Sequence, residues 1–323
     1  MDLCNNNSGL YGNSPLGIKA TKDILDVSSL ATKDSISSMY GQFKDELFSL
    51  LAARQEYCSK DLISNHSTPH VSLCLTGQAE IELLYMRIRV LQPHHVLELA
   101  SAWGGTTLAI LAALHRNGRG VLHSVDLLVD RTWYETELFS VLKTHFDISA
   151  ERSSAVSWAY YFGDAQKFHS ELLAPPYEYI HIDADHSGSF AHWYTHELLA
   201  RVAAERPFWL SVHDVADCEC VPDVSQAGRT PEGKVVESWL LYGREHRVLF
   251  AAMFSMCHDR DLYSALQSAR KLVLPPAFYH QEVPGGHSSI WATCGTTDYG
   301  DYISTSYSQV APAYARDASL SMN

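Results

Sequence analysis

The sequence predicts an α/β fold: a doubly wound, mostly parallel sheet of seven strands preceded by a helical extension. Three observations predict it. From residue 78 onward, short apolar runs alternate with stretches of helical period, the pattern of a parallel sheet covered on both faces. Several of those runs end on a carboxylate or on a His-Asp pair. The first of them enters a turn of small residues that opens a helix, a geometry in which backbone and unpaired helix N–H groups can approach a nucleotide-type ligand.

The elements follow in order. Residues 1–34 are rich in Asn, Ser, Gly and Lys and read as a flexible arm. Residues 35–77 form a helical extension, because Ile36, Met39, Tyr40, Phe43, Leu47, Leu50 and Leu51 trace one face of a 3.6-residue period. That face suits a lid, a surface docked on the core, or a contact with a second copy. Residues 78–295 make the main domain. A helix from Gln78 carries Ile81, Leu84, Tyr85, Ile88 and Leu91 on one face, and Pro93 stops it. Strand 96–99 is followed by helix 105–115, an N-G-R-G turn at 117–120 and strand 121–125 ending at Asp126. After a segment of mixed pattern at 131–150 come a strand at 158–162, a strand at 179–182 and a helix from about 188 to 204. Strand 208–212 then ends at His213-Asp214. Thr230-Pro231-Glu232 opens a helix to Tyr242, with Thr230 as N-cap and Pro231 in the first turn. Apolar runs at 248–254 and 288–293 close the sheet, and 296–323 reads as a disordered tail.

Composition narrows the function. Asp and Glu outnumber Lys and Arg by 37 to 24, so a phosphate backbone is repelled and a small-molecule substrate, not nucleic acid, is expected. No apolar run approaches the about 18–20 residues of a membrane span, and the first residues lack the basic start and apolar core of a signal peptide. A cytoplasmic protein without membrane contact, and a homo-oligomer of two or more copies, are the expectations. Seven scattered cysteines suit reduced thiols, and Cys218-x-Cys220 lacks the second pair of a structural zinc site.

Ligands of such sheets sit at the carboxyl ends of the strands, where Glu98, Asp126, Asp164, Asp183 and His213-Asp214 all fall. Glu98 stands beside the turn and can accept hydrogen bonds from a ligand or from nearby backbone. Asp126 has the place and spacing of a carboxylate that holds ribose hydroxyls. Asp164, after Gly163, is a candidate for an adenine amino group. Blander roles compete elsewhere. Asp185 reads as a helix cap, His192 and His196 as a solvated helix face, and His181 as a packed core histidine; Trp103 either stacks on a ligand or packs beneath the first helix.

The pieces V-L-E-L-A-S-A-W-G-G-T-T, V-L-H-S-V-D, Y-F-G-D-A, Y-I-H-I-D-A-D-H-S and L-S-V-H-D-V resemble the class I S-adenosylmethionine-dependent methyltransferases, which are Rossmann-like. The last two resemble the branch with the macrocin-type O-methyltransferases and the cephalosporin-hydroxylase-like proteins, and more distantly the metal-dependent catechol and caffeoyl-CoA O-methyltransferases. The resemblance covers residues 78–245. It implies that Glu98 and the turn Ala100, Ser101, Ala102, Gly104 and Gly105 hold the methionine part of S-adenosyl-L-methionine, Asp126 the ribose and Asp164 the adenine. Asp183 lies at the cofactor's edge and, with His213 and Asp214, would ligate a divalent metal. His186 would be the general base. The branch usually has glycines where Ala100 and Ala102 stand, and two added methyl groups narrow the turn.

Elementary chemistry points the same way. Neighbouring strand ends lie about 5 Å apart, so Asp183 and His213-Asp214 can converge on one ion if their strands are adjacent. Three oxygens would favour Mg²⁺, whereas an imidazole beside carboxylates opens Mn²⁺, Fe or Zn²⁺. An ion there can lower the pKa of a substrate oxygen, with His186 receiving the proton. The expected activity is metal-assisted O-methylation, ahead of N- or C-methylation, of a small natural product. The alternatives are a metal-dependent oxygenase or lyase on the same fold, and a non-catalytic binding protein.

Overall fold

A computed structural model describes residues 33–59, 77–148, 155–168, 172, 175–205, 208–214, 230–242, 248–255, 268–272 and 288–294. The arm proposed at 1–34 lies almost wholly outside these residues, as do the tail at 296–323 and the Cys218-x-Cys220 pair. Helices α1 (Lys33–Gln42) and α2 (Lys44–Ser59) precede α3 (Gln78–Leu91). Strand β1 (His95–Leu99), helix α4 (Gly105–Asn117), strand β2 (Gly120–Asp126), helix α5 (Glu135–Phe146) and strand β3 (Val156–Phe162) follow. Next come β4 (Tyr179–Ile182), α6 (Gly188–Trp193), a π-helical stretch (Tyr194–Leu199), α7 (Ala200–Glu205), β5 (Phe208–His213) and α8 (Pro231–Tyr242). Strands β6 (Val248–Ser255) and β7 (Ser288–Cys294) complete the sheet.

The sheet order is β3-β2-β1-β4-β5-β7-β6. Five strands, β3 to β5, pair in parallel, and β7 joins them by antiparallel pairing to β5 and β6. The strand order reverses between β1 and β4, and that switch point is where an open α/β sheet leaves a crevice at its carboxyl edge. Register sets what meets there: Ile182 pairs with Val212, so Asp183 and His213 emerge side by side.

Alternation along the strands sends successive side chains to opposite faces. Val96, Leu122 and Tyr179 pack with α1 to α5, while Leu97, Val125, Ile180, Leu210 and Val212 pack with α6, α8 and the residues between them. All seven apolar residues read on the N-terminal extension are buried in the first of these cores. The extension therefore docks on the sheet's helical layer. Tyr57 Oη donates to the Trp103 carbonyl at 2.6 Å and Glu56 pairs with His145 at 2.9 Å, which ties α2 to the turn after β1 and to α5.

Two readings need correction. The mixed segment at 131–150 contains a full helix, α5, whose Leu138, Val141, Leu142 and Phe146 are buried at helical spacing; the polar start of this segment hides that stripe. Cys58 is disulfide-bonded, against the expectation of reduced thiols. Cysteine count and spacing do not reveal which Cα atoms the fold brings within the roughly 4–7 Å a disulfide needs.

Candidate functional site

The turn after β1 is the first half of the site. Ala100 takes φ 64° and Ala102 φ 44°, both in the left-handed region, so the backbone follows the path that glycines would favour and the methyl groups ride on it under strain. Gly104, at φ 83°, begins α4, and no side chain caps it. A Cβ at Gly104 would lie 2.6 Å from the ring of buried Tyr134. That ring, at the start of α5, closes the turn from beneath, and its hydroxyl lies 3.2 Å from Ser101 Oγ.

Glu98 is fully buried. Its oxygens accept from Thr106 at 2.6 Å, Thr107 at 2.8 Å and Ser124 at 2.6 Å. These three bonds make Glu98 a brace that locks β1 to α4 and β2. Burial pushes its carboxyl up, and the three hydroxyls offset part of that. Asp126 accepts from the amides of Ala102 at 2.7 Å, Leu128 at 2.8 Å and Val129 at 2.7 Å. One oxygen carries two of these bonds and the other only one, so a carboxylate with two acceptor sites per oxygen keeps capacity for a ligand hydroxyl. Asp164 accepts from the Gln166 amide at 3.0 Å and so starts a short 3₁₀ turn, Ala165–Phe168.

The second half lies at β4 and β5. Asp183 Oδ1 is 3.1 Å and Asp214 Oδ1 is 3.2 Å from His213 Nδ1. One ligand atom from each of the three residues lies within 4.8 Å of the others, the donor set the sequence pointed to. Asp214 reaches this position because its backbone turns left-handed, at φ 50°, directly after the strand; a short polar side chain tolerates that conformation better than most. His213 Nε2 bonds to Glu80 of α3, also buried. Burial opposes charge on His213, but Glu80 and Asp183 outweigh it and raise its pKa well above the usual imidazole range. Burial likewise pushes Asp183 up, and His213 overcomes this, bringing it down to about 2.

His186 is half-exposed. Its Nδ1 is 2.7 Å from Glu232 Oε2, and its Nε2 is 3.7 Å from Asp214 Oδ2. The Glu232 bond raises its pKa, against a smaller effect of burial. Glu232 is fully buried and also accepts from Tyr194 Oη at 2.7 Å. Thr230 Oγ1 accepts from the Gly233 amide at 3.0 Å, the predicted N-cap, and donates to the Asp214 carbonyl at 3.1 Å.

Sequence reasoning missed Glu80, Glu232, Tyr194 and Tyr134. The signal for Glu232 was present, since it follows the recognised Thr-Pro helix start; the other three carried none. Asp185 is not the cap of α6: Ser187 is, accepting from the Phe190 amide, and Asp185 holds the Ser187 hydroxyl at 2.6 Å. His181 is a buried core residue, 2.8 Å from Ser211 Oγ, with its pKa lowered by burial to about 4. His192 and His196 stack their rings 4.0 Å apart on an exposed face. Trp103 is partly buried and packs against the first core.

A family model described as a methyltransferase domain matches residues 97–215, which span the turn, Asp126 and the β4–β5 cluster. No curated protein sequence matches the chain. Similar solved structures include the O-methyltransferase TomG from Streptomyces achromogenes, involved in tomaymycin synthesis and in complex with SAM. It is 15% identical, covers 76% of this chain and 90% of its own, and has a TM-score of 0.47. An O-methyltransferase from Bacillus cereus in complex with SAH is 12% identical over 81% of this chain and 100% of its own, with a TM-score of 0.40. The matched span contains the motifs on which the sequence resemblance rests, from the strand before the turn to His213-Asp214.

Proposed function

We propose that this class I methyltransferase domain transfers a methyl group from S-adenosylmethionine to a hydroxyl of a small natural product, with a divalent cation assisting. The observation that supports it most is the convergence of Asp183, His213 and Asp214 within 4.8 Å beside His186, at the same sheet edge as the Ala100–Gly104 turn and Asp126.

When bound, S-adenosylmethionine supplies an electrophilic methyl on a positive sulfur that leaves as a neutral thioether. The turn and Asp126 would orient it, with the free acceptor capacity of Asp126 taking a ribose hydroxyl. Asp183, Asp214 and His213 Nδ1 would hold the cation, whose charge favours ionisation of an acceptor hydroxyl. Glu80 on His213 Nε2 fits this role, because a carboxylate on the outer nitrogen turns the inner one toward an ion. A cation would replace the proton that His213 Nδ1 otherwise shares with the two aspartates. His186 receives the acceptor's proton as the new O–C bond forms and the C–S bond breaks. Alignment of nucleophile, methyl and sulfur supplies the rest of the acceleration.

Among the described residues the candidate cation group holds one imidazole and two carboxylates, Asp183, His213 and Asp214. That set differs from the two-histidine, one-carboxylate arrangement of non-haem iron oxygenases.

The test is incubation of the purified chain with methyl-labelled S-adenosylmethionine and a panel of phenols and hydroxylated natural products, aerobically and anaerobically, with EDTA or added Mg²⁺. The expected result is label in product in both atmospheres, lost with EDTA and restored by Mg²⁺. Calorimetry showing no binding of S-adenosylmethionine would overturn the reading.

A further inference from the structure

We infer that Glu232 is the positioning residue of His186, holding its Nδ1–H so that Nε2 is the nitrogen that accepts the substrate proton. The role of His186 as base rests on the reading above; the assignment of its nitrogens rests on geometry alone.

Glu232 sits in the first turn of α8, where the helix N-terminus favours a negative charge. Its backbone amide donates to the His186 carbonyl at 3.2 Å, so one residue grips the histidine by main chain and by ring. Its two carboxylate oxygens face two partners at 2.7 Å: His186 Nδ1 and the Tyr194 hydroxyl. A fully buried carboxylate in that position needs donors. Tyr194 is one, and the ring must be the other, which places the proton on Nδ1. Nε2 is then left on the opposite edge of the ring, 3.7 Å from Asp214 Oδ2 and on the side of the Asp183–His213–Asp214 group.

The surrounding backbone maintains this arrangement. The π-helical stretch begins at Tyr194, the tyrosine that holds the second oxygen of Glu232, and such wide turns recur at functional sites. Thr230, two residues before Glu232, fastens the same helix start to the Asp214 carbonyl. The N-terminus of α8 thus fixes His186 and Asp214 relative to each other. A pair that served stability alone would have no need to leave the ring half-exposed with its second nitrogen toward the cation group.

Glu232→Gln keeps size and shape but offers one acceptor and one N–H group to two donors, so the ring must turn or move its proton to Nε2. The experiment is long-range ¹H–¹⁵N correlation NMR on ring-labelled histidine, at a pH where the His186 ring is neutral and without cofactor or acceptor. The His186 signals are identified by their loss in His186→Gln. We expect the Nδ1–H tautomer in the wild type and a shift toward Nε2–H in Glu232→Gln. Methyl transfer should fall on the order of 10²-fold in kcat, with binding of S-adenosylmethionine unchanged. Glu232→Asp should recover part of the Nδ1–H signal. An Nε2–H wild-type ring overturns the inference, even if Glu232→Gln fails to fold, and so does a Glu232→Gln protein that keeps Nδ1–H. A chain with the Nδ1–H ring but no methyl transfer overturns the proposed function and leaves the nitrogen assignment standing.

Discussion

The two halves of the site carry buried charge in opposite ways. At the turn, Glu98 is surrounded by hydroxyls and Asp126 by backbone amides, all neutral donors, and burial pushes both carboxyls up. At β4 and β5, carboxylates face imidazoles, and the attraction drives Asp183 down and His213 up. Neutral donors fix a backbone shape and little else. Opposed charges form a set whose proton can be exchanged for a cation, and the proposed function divides accordingly: the first half would hold a ligand and the second would act on one.

The largest effect should come from splitting these roles at the second half. His186→Ala should lower methyl transfer by about 10²–10⁴-fold, the usual share of a positioned base, while S-adenosylmethionine binds as before. Initial rates and calorimetry on the same preparation check it. Equal loss of rate and binding would mean that the halves do not divide the work.

Gly104→Ala probes the first half. The added Cβ meets the Tyr134 ring at 2.6 Å and sits at φ 83°, so strain and overpacking together should cost on the order of 3 kcal/mol in urea denaturation. Binding of S-adenosylmethionine should weaken as Tyr134 is displaced. An unchanged midpoint would show that the ring yields freely and does not set the turn.

What the sequence disclosed follows the same division. Each strand end was legible, because an apolar run that stops at a carboxylate states both its period and its limit; Asp126, Asp183, His213 and Asp214 are where that logic puts them. The turn was legible from its small residues, and the glycines usual at Ala100 and Ala102 in the resembled branch are the trace of the left-handed backbone found there. Apart from Glu232, which follows the Thr-Pro helix start, partners contributed by helices were not legible. Glu80 belongs to α3, where its neighbours Ala79, Ile81 and Glu82 are buried as well, so no polar face marks it as special. Tyr194 meets Glu232 from the first residue of a π-helical stretch, and local period does not encode that contact. The three hydroxyls around Glu98 were not legible either, because a strand-end carboxylate reads alike whatever its partners are.

Acid titration separates the halves by sign. Asp183, at about 2 against an ordinary 3.8, contributes stability that is present above pH 4 and lost as pH falls toward 2; the shift is worth about 2 kcal/mol. Glu98 acts in reverse: its folded pKa is raised, so its ionised form weighs on the fold at neutral pH and protonation relieves it. In urea denaturation from pH 7 to 2.5, Asp183→Asn should lose about 2 kcal/mol at pH 7 and show a flatter acid limb. Glu98→Gln should stay within about 1 kcal/mol of the wild type at pH 7. Similar acid limbs in the two variants would erase the distinction between neutral and charged partners.

The smallest effect concerns the alanines. Left-handed backbone costs an alanine about 1–2 kcal/mol, and glycine removes that cost while adding about 0.5–1 kcal/mol of unfolded-chain entropy. Ala100→Gly and Ala102→Gly should therefore each stabilise the fold by up to about 1 kcal/mol, read as a higher urea midpoint with an unchanged slope. Their effect on the ligand tells more. If the methyl groups only narrow the turn, the double variant gains stability and binds S-adenosylmethionine more tightly. If they hold the Ala102 amide on Asp126, whose 2.7 Å bond anchors the turn, stability rises while affinity falls. The first result makes the turn a passive cradle; the second makes its strain part of how this half of the site is set.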